Sequence, residues 1–415
     1  MTSLNIHHIG SIIFAAALLH TFSASFFEVL AHRLPRHRGL FHLLGEVEVV
    51  FGFWAFVLII VMAMMEGGSA ATQYVETRQY TEPLFVFVVM VIAASRPVFV
   101  GAQNLLHMLA RLIPISRPLA LTWLGLAVVP LTGSLITEPA AMTLAALTLA
   151  PLAFRKEMPE WPKYAALGVL FVNVSIGGTL TSYAAPPVLM VAHTWGWDSW
   201  HMLTHFGWRS VIAVVINASV VTFIMRRHLP AQFEQDQTQQ VPLIVTLIHL
   251  GILAAVVLLS HHPVLFIGLF LFFLGFTTAY ERFQSPLILK EALLVAFFLA
   301  GLVVLGGMQQ WWLQPILTNL GPLALFFGAL GLTAITDNAA LTYLGSLVQG
   351  MSDSAKYMLM AGAVGGGGLT VIANAPNPAG AALLRRGFND ESIGAAGLLA
   401  GASLPTLVAA IFFLI

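Results

Sequence analysis

Apolar residues in this chain come in long runs separated by short polar clusters, and the run lengths match membrane-crossing helices. At 1.5 Å of rise per residue, ~20 apolar residues span the ~30 Å of a bilayer's hydrocarbon. EVVFGFWAFVLIIVMAMM (48–65) and GAAGLLAGASLPTLVAAIFFLI (394–415) are such runs. The pattern predicts an all-α polytopic membrane protein with spans at roughly 9–31, 46–65, 83–111, 164–192, 207–225, 243–259, 264–279, 291–313, 357–384 and 391–415. Two apolar segments, 118–154 and 318–350, are too long for one span, too short for two, and polar at their centres. They predict re-entrant hairpins of two half-helices.

Charge sets the orientation. Most of the 18 Lys and Arg fall on one face of this arrangement, leaving Arg78, Arg209 and Lys356 opposite and Arg96 within a span. The positive-inside rule makes the first face cytoplasmic and puts both termini on the outer side. The first hairpin then opens from the cytoplasm and the second from outside.

The two halves repeat each other. GSLITEPAAMTLAAL (133–147) aligns with LTAITDNAALTYLGS (332–346), so Glu138 matches Asp337 at the hairpin tips. Downstream of each lies a span interrupted by Gly and Pro, at GGTLTSYAAPPVLM (177–190) and GGGGLTVIANAPNPAG (365–380). We therefore expect an N-terminal repeat over 1–230, a cytoplasmic linker over 231–242 containing AQFEQDQTQQ, and an inverted C-terminal repeat over 243–415.

Composition agrees with the membrane reading and narrows the chemistry. The chain is 58% hydrophobic and 9% charged, with a mean hydropathy of +0.88, far from the ~25% charged residues of a soluble domain. With no cysteine, disulfides and thiolate chemistry are excluded. Neither HExxH nor GxSxG occurs, so an enzyme is not expected.

Polar side chains collect at the two tips and two breaks. Ser134, Thr137 and Glu138 lie at the first tip, and Thr336, Asp337 and Asn338 at the second. Thr179, Thr181 and Ser182 lie in the first break, and Thr370, Asn374 and Asn377 in the second. Interrupted helices free backbone groups that hydrocarbon cannot satisfy but an ion can. The hydroxyl, amide and carboxyl oxygens suit a small hard cation, whereas no cluster of His or Cys spaced for a transition metal is read in the sequence.

The motifs ITDNAALT (335–342) and GGGLTVIANAPNPAG (366–380), with the paired hairpins and breaks, resemble the ion transporter superfamily of arsenite permeases, divalent-anion/sodium symporters and related sodium/proton antiporters. The whole chain is most similar to the bacterial sodium/proton antiporters. The resemblance implies a scaffold domain, a transport domain carrying the hairpins, elevator-like movement and a homodimer. Glu138 and Asp337 replace the neutral tips of the symporters, which disfavours an anionic substrate.

The resulting expectation is a sodium/proton antiporter of a bacterial inner membrane. It needs no cofactor beyond the transported Na⁺ and H⁺, and its partners are the bilayer, small inorganic ions and a second copy, with no nucleic acid. Asp337 would bind a proton when sodium is scarce and release it when sodium arrives; the alternative is a structural acid that pairs with Arg96 or caps a half-helix. Glu138 either binds the ion or caps its own half-helix, and Arg96 balances charge. An anion permease or sodium-coupled symporter for arsenite, dicarboxylate or another oxyanion is the main competing reading. HTWGWDSWHMLTHFGW (193–208) reads as an interfacial aromatic belt, with pH sensing as the alternative.

Overall fold

A computed structural model describes residues 5–230 and 241–415. Most of the expected linker, 231–242, lies outside the described residues. Among the described residues the fold is all-helical, without a strand. Five helices are long and apolar enough to cross a membrane alone, two bent pairs qualify together, and five shorter apolar helices accompany them. Their outward faces carry large apolar side chains such as Met64, Leu258 and Val264, each at least 80% exposed. In water such a surface would aggregate, whereas lipid tails solvate it.

The chain forms two compact units that interleave in sequence. One comprises Met1–Phe87, Leu289–Leu320 and Tyr343–Met351, the other Val88–Ile288, Gly321–Thr342 and Ser352–Ile415. In the first unit, helices Val47–Glu66 and Leu289–Gly306 cross at Gly52 and Gly301. A Cβ on Gly301 would lie 2.4 Å from the Gly52 nitrogen, so only glycine permits the crossing. His20 is a satisfied packing residue here, its Nε2 donating to the Leu44 carbonyl at 2.9 Å while Nδ1 accepts from Trp54 Nε1 at 3.1 Å. The expected span 9–31 is two helices, Ile6–Phe22 and Ala24–Arg33.

The second unit holds both tips and both breaks. At its centre Glu160–Gly177, nearly all buried, packs against Ala395–Leu414. Two bends here are absent from the expected pattern. The expected span 83–111 turns by 62° between Thr81–Ala93 and Arg96–Leu112, where Ser95 takes an extended N-cap conformation and Pro97 cannot donate to a preceding turn. Within the first hairpin, Arg117–Leu126 and Val128–Ile136 meet at 43°. Pro130 has no N–H for the Leu126 carbonyl, and buried Asn173 Nδ2 supplies the missing donor at 2.8 Å.

Candidate functional site

The first hairpin reverses at Thr137, between Val128–Ile136 and Glu138–Ala153, and these two helices pack together. Thr137 has φ 75° and ψ 152°, a region that is essentially glycine's and that costs a β-branched residue about 1–3 kcal/mol. The second reversal lies between Pro322–Thr333 and Asn338–Ser346. The breaks also share a form. After Glu160–Gly177 come a 3₁₀ turn over Gly178–Leu180, extended residues and the proline-started helix Pro186–Trp195. After Asp353–Gly366 come extended Thr370, a 3₁₀ turn over Val371–Ala373, extended Asn374 and Asn377–Leu384.

The matched acids do different things. Asp337 is half-buried, and its Oδ1 accepts from Ala339 N at 2.8 Å and Ala340 N at 3.1 Å. That is an N-cap of its own half-helix. Glu138 is completely buried, and its Oε2 accepts from Asn374 Nδ2 at 2.8 Å, which ties the first tip to the second break. The glutamate carries one more methylene and is already the first residue of its helix, with Thr137 at the N-cap. No basic side chain forms an ion pair with Glu138 among the described residues.

Glycines let the tips approach the breaks. A Cβ on Gly178 would stand 2.4 Å from Glu138 Oε1, and one on Gly367 would stand 2.1 Å from Ser175 Oγ and 3.0 Å from Asn338 Nδ2. Each tip thus lays one polar side chain against a glycine of the break in its own half. Each also reaches the other half, Glu138 to Asn374 and Asn338 Nδ2 to Ser175 Oγ at 3.5 Å.

Further bonds complete the cluster. Ser134 Oγ donates to Gly177 O at 2.7 Å and accepts from Leu180 N at 2.9 Å, while Thr181 Oγ1 donates to Ser134 O at 2.7 Å. Asn377 Nδ2 donates to Gly367 O at 2.8 Å and Thr370 O at 2.9 Å, and Thr370 Oγ1 to Ala334 O at 2.8 Å. The amide nitrogens of Asn374 and Asn377 are therefore engaged. Their oxygens are not: Thr137 Oγ1, Glu138 Oε1, Asn338 Oδ1, Asn374 Oδ1 and Asn377 Oδ1 are all buried without a hydrogen-bond partner. Buried polar atoms in native proteins are rarely left so, and carboxyl, amide and hydroxyl oxygens are the atom types that a hard cation takes.

Among the expected residues, Thr336 and Ser182 bond outside this set. Thr336 Oγ1 bonds back to Leu332 O at 2.8 Å in its own turn, and Ser182 faces Ser199 at 3.2 Å. Arg96 opens the helix after the 62° bend. Two residues escape the sequence reading. Ser175, whose Oγ donates to Val364 O at 2.8 Å, is a lone hydroxyl in an apolar run, and only its nearness to the Gly-Gly pair at 177–178 marks it. Ser95 has a buried, unpartnered hydroxyl at the unforeseen bend.

Lipid-compatible helices interrupted where buried carboxyl, amide and hydroxyl oxygens collect define an integral membrane protein of the transporter class. The chain belongs to the family described as "Putative Na+/H+ antiporter", which matches residues 5–415. No curated protein matches the chain.

Proposed function

We propose that this protein exchanges Na⁺ for H⁺ through one buried site, and that Glu138 carries the exchanged charge. The observation that carries this reading is the Glu138 carboxyl itself, wholly buried, held at one oxygen by Asn374 and unpaired at the other. A carboxylate shut away from water without a basic partner is costly, and a proton or a bound cation removes the cost. Proton and sodium therefore compete, and their competition is the coupling. Thr137, Asn338, Asn374 and Asn377 offer neutral oxygens to the ion. Ser134, Thr181, Thr370 and Ser175 hold the breaks open around it. Asp337, which the sequence alone favours as the carrier, caps the second half-helix and contributes negative potential, acting on Glu138 through space.

Alternating access would come from two inverted repeats, with the tips as re-entrant hairpins. A unit containing both tips and both breaks supports elevator-like movement of that unit. The remaining picture is a homodimer in a bacterial inner membrane, with no cofactor. The test is proton release from proteoliposomes on addition of Na⁺, Li⁺, K⁺, arsenite or succinate. Release driven by Na⁺ is the expected result; release by arsenite or succinate but not by Na⁺ would replace exchange with anion transport.

A further inference from the structure

One end of the second unit carries charge that ion exchange does not use. Three segments distant in sequence meet there, around residues 154–163. Arg155 Nη2 donates to His228 O at 3.1 Å, and the Trp161 and His228 rings meet edge-on with centroids 6.1 Å apart. Buried Lys163 donates to Gly387 O at 2.6 Å, and a Cβ on Gly387 would collide with the Phe154 carbonyl.

These contacts gather two arginine doublets. Arg226–Arg227 runs directly into His228 and Arg385–Arg386 directly into Gly387. Each doublet is therefore about 3.8 Å along the chain from a residue that touches Phe154 or Arg155. Most acids of the three segments are already matched. Glu157 faces Arg155 at 4.0 Å, Glu391 faces Lys156 at 3.7 Å and Glu160 faces Lys163 at 2.6 Å. The four arginines of the doublets are exposed and form no ion pair among the described residues, and of the acids in these segments only Asp390 is left over. The surplus of positive charge fits an anionic partner.

The surrounding apolar surface selects which one. The Arg226 guanidinium lies 3.6 Å over the Phe223 ring, and Phe223 is 65% exposed near the end of a helix apolar enough to cross a membrane. Exposed Leu383 stands two residues before Arg385, and Trp161, 56% exposed, is of the type that settles at the bilayer interface. Guanidiniums at the rim of a lipid-facing surface lie at headgroup depth, and each can take two phosphate oxygens at once. A soluble acidic peptide would gain nothing from the apolar rim.

We propose that Arg226, Arg227, Arg385 and Arg386 bind the headgroup of an anionic phospholipid, which ties the end of Trp208–Met225 to the end of Asn377–Leu384. The positive-inside rule asks only for charge on a face, whereas this site asks for these four arginines. It stands independently of the transport reading, because neither of its readouts involves ion flux.

The experiment uses the full chain, purified in a neutral detergent and stripped of lipid. Phosphatidylglycerol in mixed micelles should raise the thermal midpoint and stay bound in native mass spectra, whereas phosphatidylcholine, inorganic phosphate and polyglutamate should do neither. Arg226→Gln/Arg227→Gln and Arg385→Gln/Arg386→Gln should each weaken retention of the lipid by about tenfold or more. Should either fail to fold, Arg227→Gln and Arg386→Gln singly should weaken it in the same direction. Arg36→Gln/Arg38→Gln, a pair of exposed arginines in the first unit, is the charge-matched control and should retain the lipid as the parent does. Equal weakening in the control would mean diffuse attraction and overturn the site, as would an equal effect of phosphatidylcholine. Stabilisation by polyglutamate or phosphate without phosphatidylglycerol would overturn the lipid as partner.

Discussion

Asn374 Nδ2 donates to Glu138 Oε2 at 2.8 Å across 236 positions of sequence. The acid of the first tip is thus oriented by the break of the second half, while Asp337 Oδ1 caps its own helix. Glu138→Gln keeps an oxygen for Asn374 and removes the charge, so the protein should fold and lose sodium-driven proton flux to background. Asp337→Asn should keep exchange within about threefold, since Asn caps as well as Asp, whereas Asp337→Ala should cost about 1 kcal/mol of stability. An inactive Asp337→Asn beside an active Glu138→Gln would return the exchanged charge to Asp337.

Gly178 is small so that the Glu138 carboxyl can lie against the first break. Gly178→Ala puts a methyl 2.4 Å from Glu138 Oε1 and must displace it. The half-saturating sodium concentration should rise about tenfold, equivalent to about 1.4 kcal/mol. Gly251→Ala, whose added carbon meets nothing within 4 Å, is the control and should leave it unchanged.

Thr137 combines backbone strain with a buried, unpartnered hydroxyl. If that hydroxyl is a ligand, Thr137→Gly should pull stability and affinity in opposite directions. Relief of strain should raise the thermal midpoint, by an amount set by about 1 kcal/mol or more, while loss of the oxygen should weaken sodium dependence. A variant that is stabilised with unaltered sodium dependence would remove Thr137 from the ligand set.

Much of this arrangement is legible in the sequence, because hydrophobic runs and Gly-Pro interruptions are local signals. The breaks at 177–190 and 365–380 fall where expected for that reason. The proposed division of labour between Glu138 and Asp337 is not legible. It turns on one methylene of reach and on Asn374, whose proximity only the tertiary fold provides. The 62° bend at Ser95 was encoded locally by Ser-Arg-Pro, but its apolar flanks read as one continuous span. The kink before Pro130 is different again, since a lone proline in an apolar run does not reveal which side chain will satisfy the carbonyl it frees.

That carbonyl gives a stability prediction. Asn173→Leu strands the buried Leu126 oxygen, at a cost of about 1–3 kcal/mol. Pro130→Ala restores an N–H four residues on, so in the double variant the Asn173→Leu penalty should shrink by about 1 kcal/mol. Thermal unfolding in detergent measures the cycle. Strict additivity would mean that Asn173 contributes through its other contacts, such as the bond it accepts from Asn217 Nδ2 at 3.0 Å, and not through the bond to Leu126.

In the second unit, segments distant in sequence meet at two places. On the expected cytoplasmic side, Lys156 pairs with Glu391 at 3.7 Å, Arg155 donates to His228 O at 3.1 Å, and buried Lys163 donates to Gly387 O at 2.6 Å. On the expected outer side, 195–205 and 353–357 line one cavity. Because the chain has no cysteine, a single introduced one reports its side without background. Lys156→Cys should react with an impermeant maleimide only from the cytoplasm, and Asp353→Cys, at a 95% exposed side chain, only from outside. Reaction of both from the same side would break the assignment of the two faces, and with it the inversion of the repeats.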